Sequence, residues 1–240
     1  MTRAKSAKTV PPEAPAAVAE PVAAPARTSA PQAPPRKAVA VRRVPQQARS
    51  QQTVQAVLRA AGEEIERSGL DNLSTKRVAA TAGLSVGALY GYFPNKESII
   101  AALLEAWLGR VFEAVDSVHP RHGEATDLFG YLRLQVDRAE AVYTHQPGLS
   151  ALFTMSMAIP SLHQMLLAHG ERVASSVESG LAHFAPRAPH EAVASVAATI
   201  PLVCHELLAS MTLNPHTDRS RMRRNLSLCL VALGTDLLAA

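Results

Sequence analysis

The sequence predicts an all-α protein, on three observations. Apolar residues recur at spacings of three and four from Val54 to Leu237, the period of one buried helix face, and no segment alternates as a strand does. Capping residues, glycines and prolines bracket these recurrences at helix-length intervals. Within residues 73–104 two short helical patterns stand either side of one glycine, Gly83, which is the plan of a helix-turn-helix.

Residues 1–45 are the exception to the pattern. They are Ala- and Pro-rich and too poor in large apolar side chains to offset the entropy of ordering, so they read as a disordered tail. Eight of the 24 Lys and Arg lie there against Glu13 and Glu20, which puts +6 in the tail and −2 in the remaining 195 residues. The overall charge of +4 is therefore a poor argument for a DNA-binding domain. Arg36, Lys37, Arg42 and Arg43 could follow a DNA backbone or enter a minor groove as a flexible arm, or be simply solvated.

The first helix is expected over residues 45–68, with Val54, Val57, Leu58, Ala61 and Ile65 on its buried face and Gly69 as its stop. Ser74 caps the second, on which Val78, Ala79 and Ala82 share a face. Gly83 ends it, Leu84 plugs the turn, and Ser85 caps a third helix over residues 86–93. In such a plan the second helix of the pair enters the DNA major groove. Leu89 and Phe93, four apart, should point into the core, leaving Ser85, Val86, Gly87, Ala88, Tyr90 and Tyr92 outward.

Asn95 caps a fourth helix, with Glu97 where the helix dipole favours an anion. Its apolar face, from Ile99 through Trp107 to Val111, is wide enough to pack on two partners. Further helices are expected over residues 124–146, 149–159, 162–184, 190–213 (kinked at Pro201) and 219–238. The last carries Met222, Leu226, Leu230, Leu233 and Leu237, a near-heptad stripe suited to helix packing.

The stretch from Ser74 through Val78-Ala79, Ala82-Gly83-Leu84-Ser85, Gly87, Leu89-Tyr90 and Tyr92-Phe93 to Asn95-Lys96-Glu97 resembles the DNA-binding domain of the tetracycline-repressor (TetR) family. The run Tyr-x-Tyr-Phe-x-x-Lys-Glu before an apolar helix is its most specific part, and the resemblance covers about residues 49–105. After the tail at 1–45, it implies a helix-turn-helix domain at 46–94 and an effector-binding and dimerisation domain at 95–240, linked by the helix at 95–111. It also implies that Val86, Gly87, Ala88 and Tyr92 lie against bases, with Ser85 also on the DNA-binding face, while Tyr90, Lys96, Thr75 and Lys76 hold phosphates. Many members carry a longer polar residue where this chain has Gly91, and the helix lacks Arg, Asn or Gln for a bidentate base contact. Direct readout should be thin, with backbone and shape contacts carrying more of the specificity.

The resemblance further implies a homodimer on a palindromic operator in double-stranded DNA, formed through the last two helices by Val196, Ile200, Val203, Leu207, Leu226, Leu230, Leu233 and Leu237. An apolar small-molecule effector is expected among the middle helices, lined by Trp107, Phe129, Tyr131, Tyr143, Phe153 and Met157, with His145, His163 and His205 as polar handles. Aromatic and Met side chains at these spacings also suit a plain core. The implied function is a repressor released by its effector. The alternative is a ligand-independent regulator, an activator or a chromosome-associated factor.

Other classes find little to attach to. No HExxH, nucleophile elbow, phosphate-binding Gly loop or Cys-x-x-Cys pair occurs, so neither an enzyme nor a cofactor is suggested. His119 and His122 lack an adjacent third ligand and read as an exposed loop. Cys204 and Cys229 sit in apolar patterns, read as inert buried thiols, and suit a reducing cytoplasm. No unbroken apolar run reaches the ~18 residues of a membrane span, and no signal peptide is evident.

Overall fold

The computed structural model describes residues 48–144, 148, 151–152, 156, 158–214 and 216–240, and among the described residues eight α-helices are bounded at both ends and no strand occurs. The tail with Arg36, Lys37, Arg42 and Arg43 lies outside the described residues, as do His145, Phe153, Met157 and most of the expected segment at 149–159.

Helix α1, Ala48–Ser68, stops at Gly69, whose φ of +77° is a conformation that a side chain disfavours. Helix α2, Thr75–Thr81, is capped by Ser74, which accepts from the Arg77 N–H. It ends in a Schellman motif: Leu84 N–H donates to the Ala79 carbonyl at 2.8 Å and Gly83 N–H to that of Ala80 at 3.1 Å. Gly83, at φ +68°, makes this reversal possible. Helix α3, Val86–Tyr92, is capped by Ser85, which accepts from Ala88 N–H at 3.1 Å. Leu89 and Phe93 are both buried beneath it.

Helix α4, Lys96–Asp116, opens with a reciprocal box: Asn95 accepts from Ser98 N–H at 2.7 Å and its own N–H donates to the Ser98 hydroxyl at 3.3 Å. It runs five residues beyond Val111 and ends before a 3₁₀ turn, Pro120–His122. Helix α5, Leu128–Thr144, starts later than the periodicity suggested, because Asp127 is the residue that can cap, accepting from Gly130 N–H at 2.8 Å. Glu124 pairs instead with Arg138 at 2.6 Å. Helix α6, Pro160–Phe184, has Pro160 in its first turn; the proline opens this helix, where its missing N–H costs nothing. Helices α7, His190–Leu213, and α8, Arg219–Ala239, complete the chain.

Helix α4 packs on α1 and also on α5 and α6. It therefore joins the helix-turn-helix to the larger bundle. Helix α7 lies against α5, α6 and α8. A window of α7 reaches a mean hydropathy of 1.7, enough by composition to cross a bilayer. The eye finds no such run in the sequence because Thr199, His205 and Glu206 interrupt it. Its apolar residues Val193, Val196, Ala197 and Ile200 are buried in the bundle core.

The stripe on α8 is turned the opposite way from its expected role. Leu226, Leu230 and Leu237 are buried inside the monomer, together with Val196 and Ile200 of α7, while Val203, Leu207 and Leu233 are half-buried against the same core. Gly234 lies in this stripe, and a Cβ there would come within 3.1 Å of Phe129 and 3.2 Å of Leu132. Arg223 bridges to Asp137 and Glu140 and ties α8 to α5. The stripe holds α8 to its own chain, against α7 and α5.

Candidate functional site

The outward side of α3 is open. Ser85, Val86, Gly87, Ala88 and Tyr90 are exposed and Tyr92 is half-buried. A side chain built at Gly87 or Gly91 would meet no described atom within 4 Å, so the helix backbone presents a shallow surface there. Small residues of this kind let a helix approach a groove floor, and Val or Ala methyls suit a thymine methyl. Thr75 at the head of α2 and Tyr90 share a hydroxyl–hydroxyl hydrogen bond of 3.1 Å, which places two groups able to donate to a phosphate side by side. Lys76 is exposed beside them. Lys96 donates to the Asp71 carbonyl at 2.8 Å, a tie across the connection between α1 and α2 that leaves two further N–H donors on its ammonium.

Beneath this surface is an ionic clamp that periodicity did not disclose. Glu64 of α1 is buried and accepts from Arg77 Nε of α2 at 2.6 Å, from Arg67, and from the Ser68 hydroxyl at 3.1 Å. The Arg77 hydrogen bond, with those of Arg67 and Ser68, outweighs burial and holds the Glu64 carboxyl down to about 2. An acidic residue at a buried register of α1, thirteen before an arginine, was the available signal.

The larger domain contains a cavity of about 420 Å³ between α4, α5, α6 and α7. Val111 and Val115, Ala139 and Tyr143, Val173, and Leu208 form apolar walls, and His163, His169 and His205 supply imidazoles. Tyr143 and His205 are joined at 2.6 Å through Nδ1. Burial raises the Tyr143 hydroxyl far above its ordinary value, so it remains an O–H that can donate to Nδ1 when the ring proton is on Nε2. Burial lowers His205, and burial with Arg172 nearby lowers His169 to about 4, so both are neutral at neutral pH. Burial pushes the Cys204 thiol, also in the wall, up to about 12.

Of the expected lining, Tyr143, His163 and His205 border this cavity. Trp107 lies behind them, edge-on to Tyr143 at 5.3 Å and 6.2 Å from His205. Phe129 and Tyr131 do not border it, because they sit in the first turn of α5 and the cavity is formed by its last turns. Phe129 is exposed beside α8, and Tyr131 packs on Phe184 at 5.6 Å and over Gly180. His169, Val173 and Leu208 were not anticipated, since α6 and α7 had no mark distinguishing a cavity wall from a core face.

Two other expectations are corrected. His119 is not in an exposed loop: it is buried, its Nδ1 accepts from Arg121 N–H at 3.2 Å, and its Nε2 lies 3.2 Å from the Ser179 hydroxyl. It caps the 3₁₀ turn. Cys229 is exposed, and both cysteines are free thiols.

The comparisons agree with this layout. The family described as "Bacterial regulatory proteins, tetR family" matches residues 57–103, and "Tetracyclin repressor-like, C-terminal domain" matches residues 127–233. The tetracycline repressor protein class C of Escherichia coli is 41% identical over 54 residues, covering 22% of this chain and 25% of that one. The nucleoid occlusion factor SlmA of Haemophilus ducreyi is 37% identical over 57 residues, covering 24% and 27%. The matched stretch spans only about a quarter of the length of these two curated relatives. A crystal structure of a TetR-family transcriptional regulator from Mesorhizobium loti superposes with a TM-score of 0.65 at 18% identity, covering 78% of this chain and 97% of that one. A helix-turn-helix with an open recognition face, joined by α4 to a helical domain matching the family's C-terminal half, places this chain in the TetR family of transcriptional regulators.

Proposed function

We propose that the protein is a cytoplasmic, homodimeric repressor that binds a palindromic operator through α3 and is released by a small-molecule effector held in the α4–α7 cavity. The observation that carries this is the position of α4. Val111 and Val115 in its second half border the cavity, while the same helix packs on α1 of the helix-turn-helix unit. An occupant that favours one position of α4 thereby favours one spacing of the two recognition helices. It can shift operator affinity only by its own preference between the two states, typically by about 1–3 kcal/mol.

Val86, Gly87, Ala88 and Tyr92 face the bases in this reading, with Ser85 at the helix entrance. Thr75, Lys76, Tyr90 and Lys96 hold phosphates. Two such helices on half-sites about 34–36 Å apart would read a palindrome. The dimer contact is assigned to the outward face of α8, where Leu228, Val231 and Leu238 are exposed at spacings of three and seven. The test is selection of random duplex DNA by the purified protein, followed by binding to the enriched sequence at several salt concentrations. A two-fold palindrome and a slope of log K against log salt near −7, as for about eight neutralised phosphates, are expected. No enrichment from a ligand-free preparation would overturn the reading.

A further inference from the structure

The charged residues that line the cavity are acidic, and Arg172, whose charge reaches His169, lies over the Phe112 ring outside the lining. Among the described residues that line it there is no Lys or Arg, and its acidic members are Glu171 of α6 and Glu206 of α7. Both are exposed, and each stands four residues after an exposed leucine that lines the same cavity: Leu167, 49% exposed, and Leu202, 68% exposed. Residues four apart share a helix face. The mouth is thus bounded by a Leu–Glu pair on each of two neighbouring helices. It combines apolar surface with negative charge, and the interior behind it is apolar with neutral His169 and His205.

We propose, resting on the reading of this cavity as the effector site, that its ligand is an apolar organic cation, a hydrophobic body carrying a protonated amine or similar group. The body fills the space between Tyr143, Val173 and Leu208, and the cationic group is held by Glu171 and Glu206 at the mouth. An anion would lose its hydration against two carboxylates with no cationic side chain among the described lining to compensate, which is the costly case for a charge entering a protein. A cation meets the opposite situation. The buried Nδ1 of His163, which lacks a hydrogen-bond partner among the described residues, fits the same class. With the ring proton on Nε2 it is an acceptor, and an ammonium is purely a donor. The volume, about 420 Å³, falls in the range of small-molecule sites.

The experiment uses the full chain and three probes on one ring system: 1-naphthylmethylamine, 1-naphthalenemethanol and 1-naphthoate, titrated by calorimetry at pH 7. The amine is expected to bind at least tenfold more tightly than the alcohol, with naphthoate weakest. The double substitution E171Q/E206Q should bring the amine to the affinity of the alcohol and leave the alcohol unchanged. Both positions are exposed, so the variant should keep the melting temperature of the parent. Naphthoate or the alcohol binding as tightly as the amine, or an amine advantage that survives the double substitution, would overturn the cationic class while leaving the cavity as a ligand site. No heat from any probe at millimolar concentration would overturn the class and the effector reading together.

Discussion

Glu64 shows how one residue can be decided by its neighbours. A carboxylate at a buried position of α1 would ordinarily be costly, yet here two arginines and a serine satisfy it. Its folded value near 2 lies below the ordinary 4.5, so its contribution to stability is full above about pH 4.5 and is lost as pH falls toward 2. E64Q should flatten the acid limb of a stability–pH profile between those values and leave the neutral-pH slope unchanged. Gly180 is a second such residue. A Cβ there would lie 2.1 Å from the Tyr131 hydroxyl, so G180A should destabilise the fold by about 1–3 kcal/mol, as overpacking does. Urea denaturation would measure it, and an unchanged midpoint would show that Tyr131 has room to move.

At the scale of elements, α4 is not the sole contact between the two halves. Gly148, after α5, has a φ of +74°, and a Cβ there would come 2.9 Å from the Gly62 carbonyl of α1. It lies four residues past the end of α5, whose Tyr143 borders the cavity, and it touches Gly62 and Ile65 of α1. G148A would strain the backbone by about 1–2 kcal/mol and press on α1. The expected outcome is a several-fold change in operator affinity with the affinity of a cavity probe unchanged. Equal operator affinity in parent and variant would mean that this contact transmits nothing.

For the whole molecule, the two faces of α8 separate folding from assembly. Leu230 is buried in the monomer, so L230A should cost about 2–5 kcal/mol of stability. Leu228, 62% exposed, should contribute little to the fold and much to the proposed dimer. L228E is expected to give a folded monomer in sedimentation and to weaken operator binding by orders of magnitude, since one recognition helix contacts too few bases. A dimeric L228E protein would place the interface elsewhere.

The helices, their caps and the helix-turn-helix were legible in the sequence because they rest on local physics: the 3.6-residue period, the Ser74, Ser85 and Asn95 caps, and the left-handed glycine at 83. The open residues of α3 followed from the same period, with Leu89 and Phe93 marking the buried side. Periodicity says that a helix has an apolar face but not what that face meets. The leucine stripe of α8 could have met a partner chain, and the tertiary structure turned it onto α7 and α5. An aromatic on α5 could have lined a cavity at either end of the helix; Tyr143 does so, while Tyr131 packs on Phe184 and over Gly180. Burial of Glu64 and His119, and the union of Tyr143 with His205 across 62 positions, depend on long-range packing that no local signal encodes.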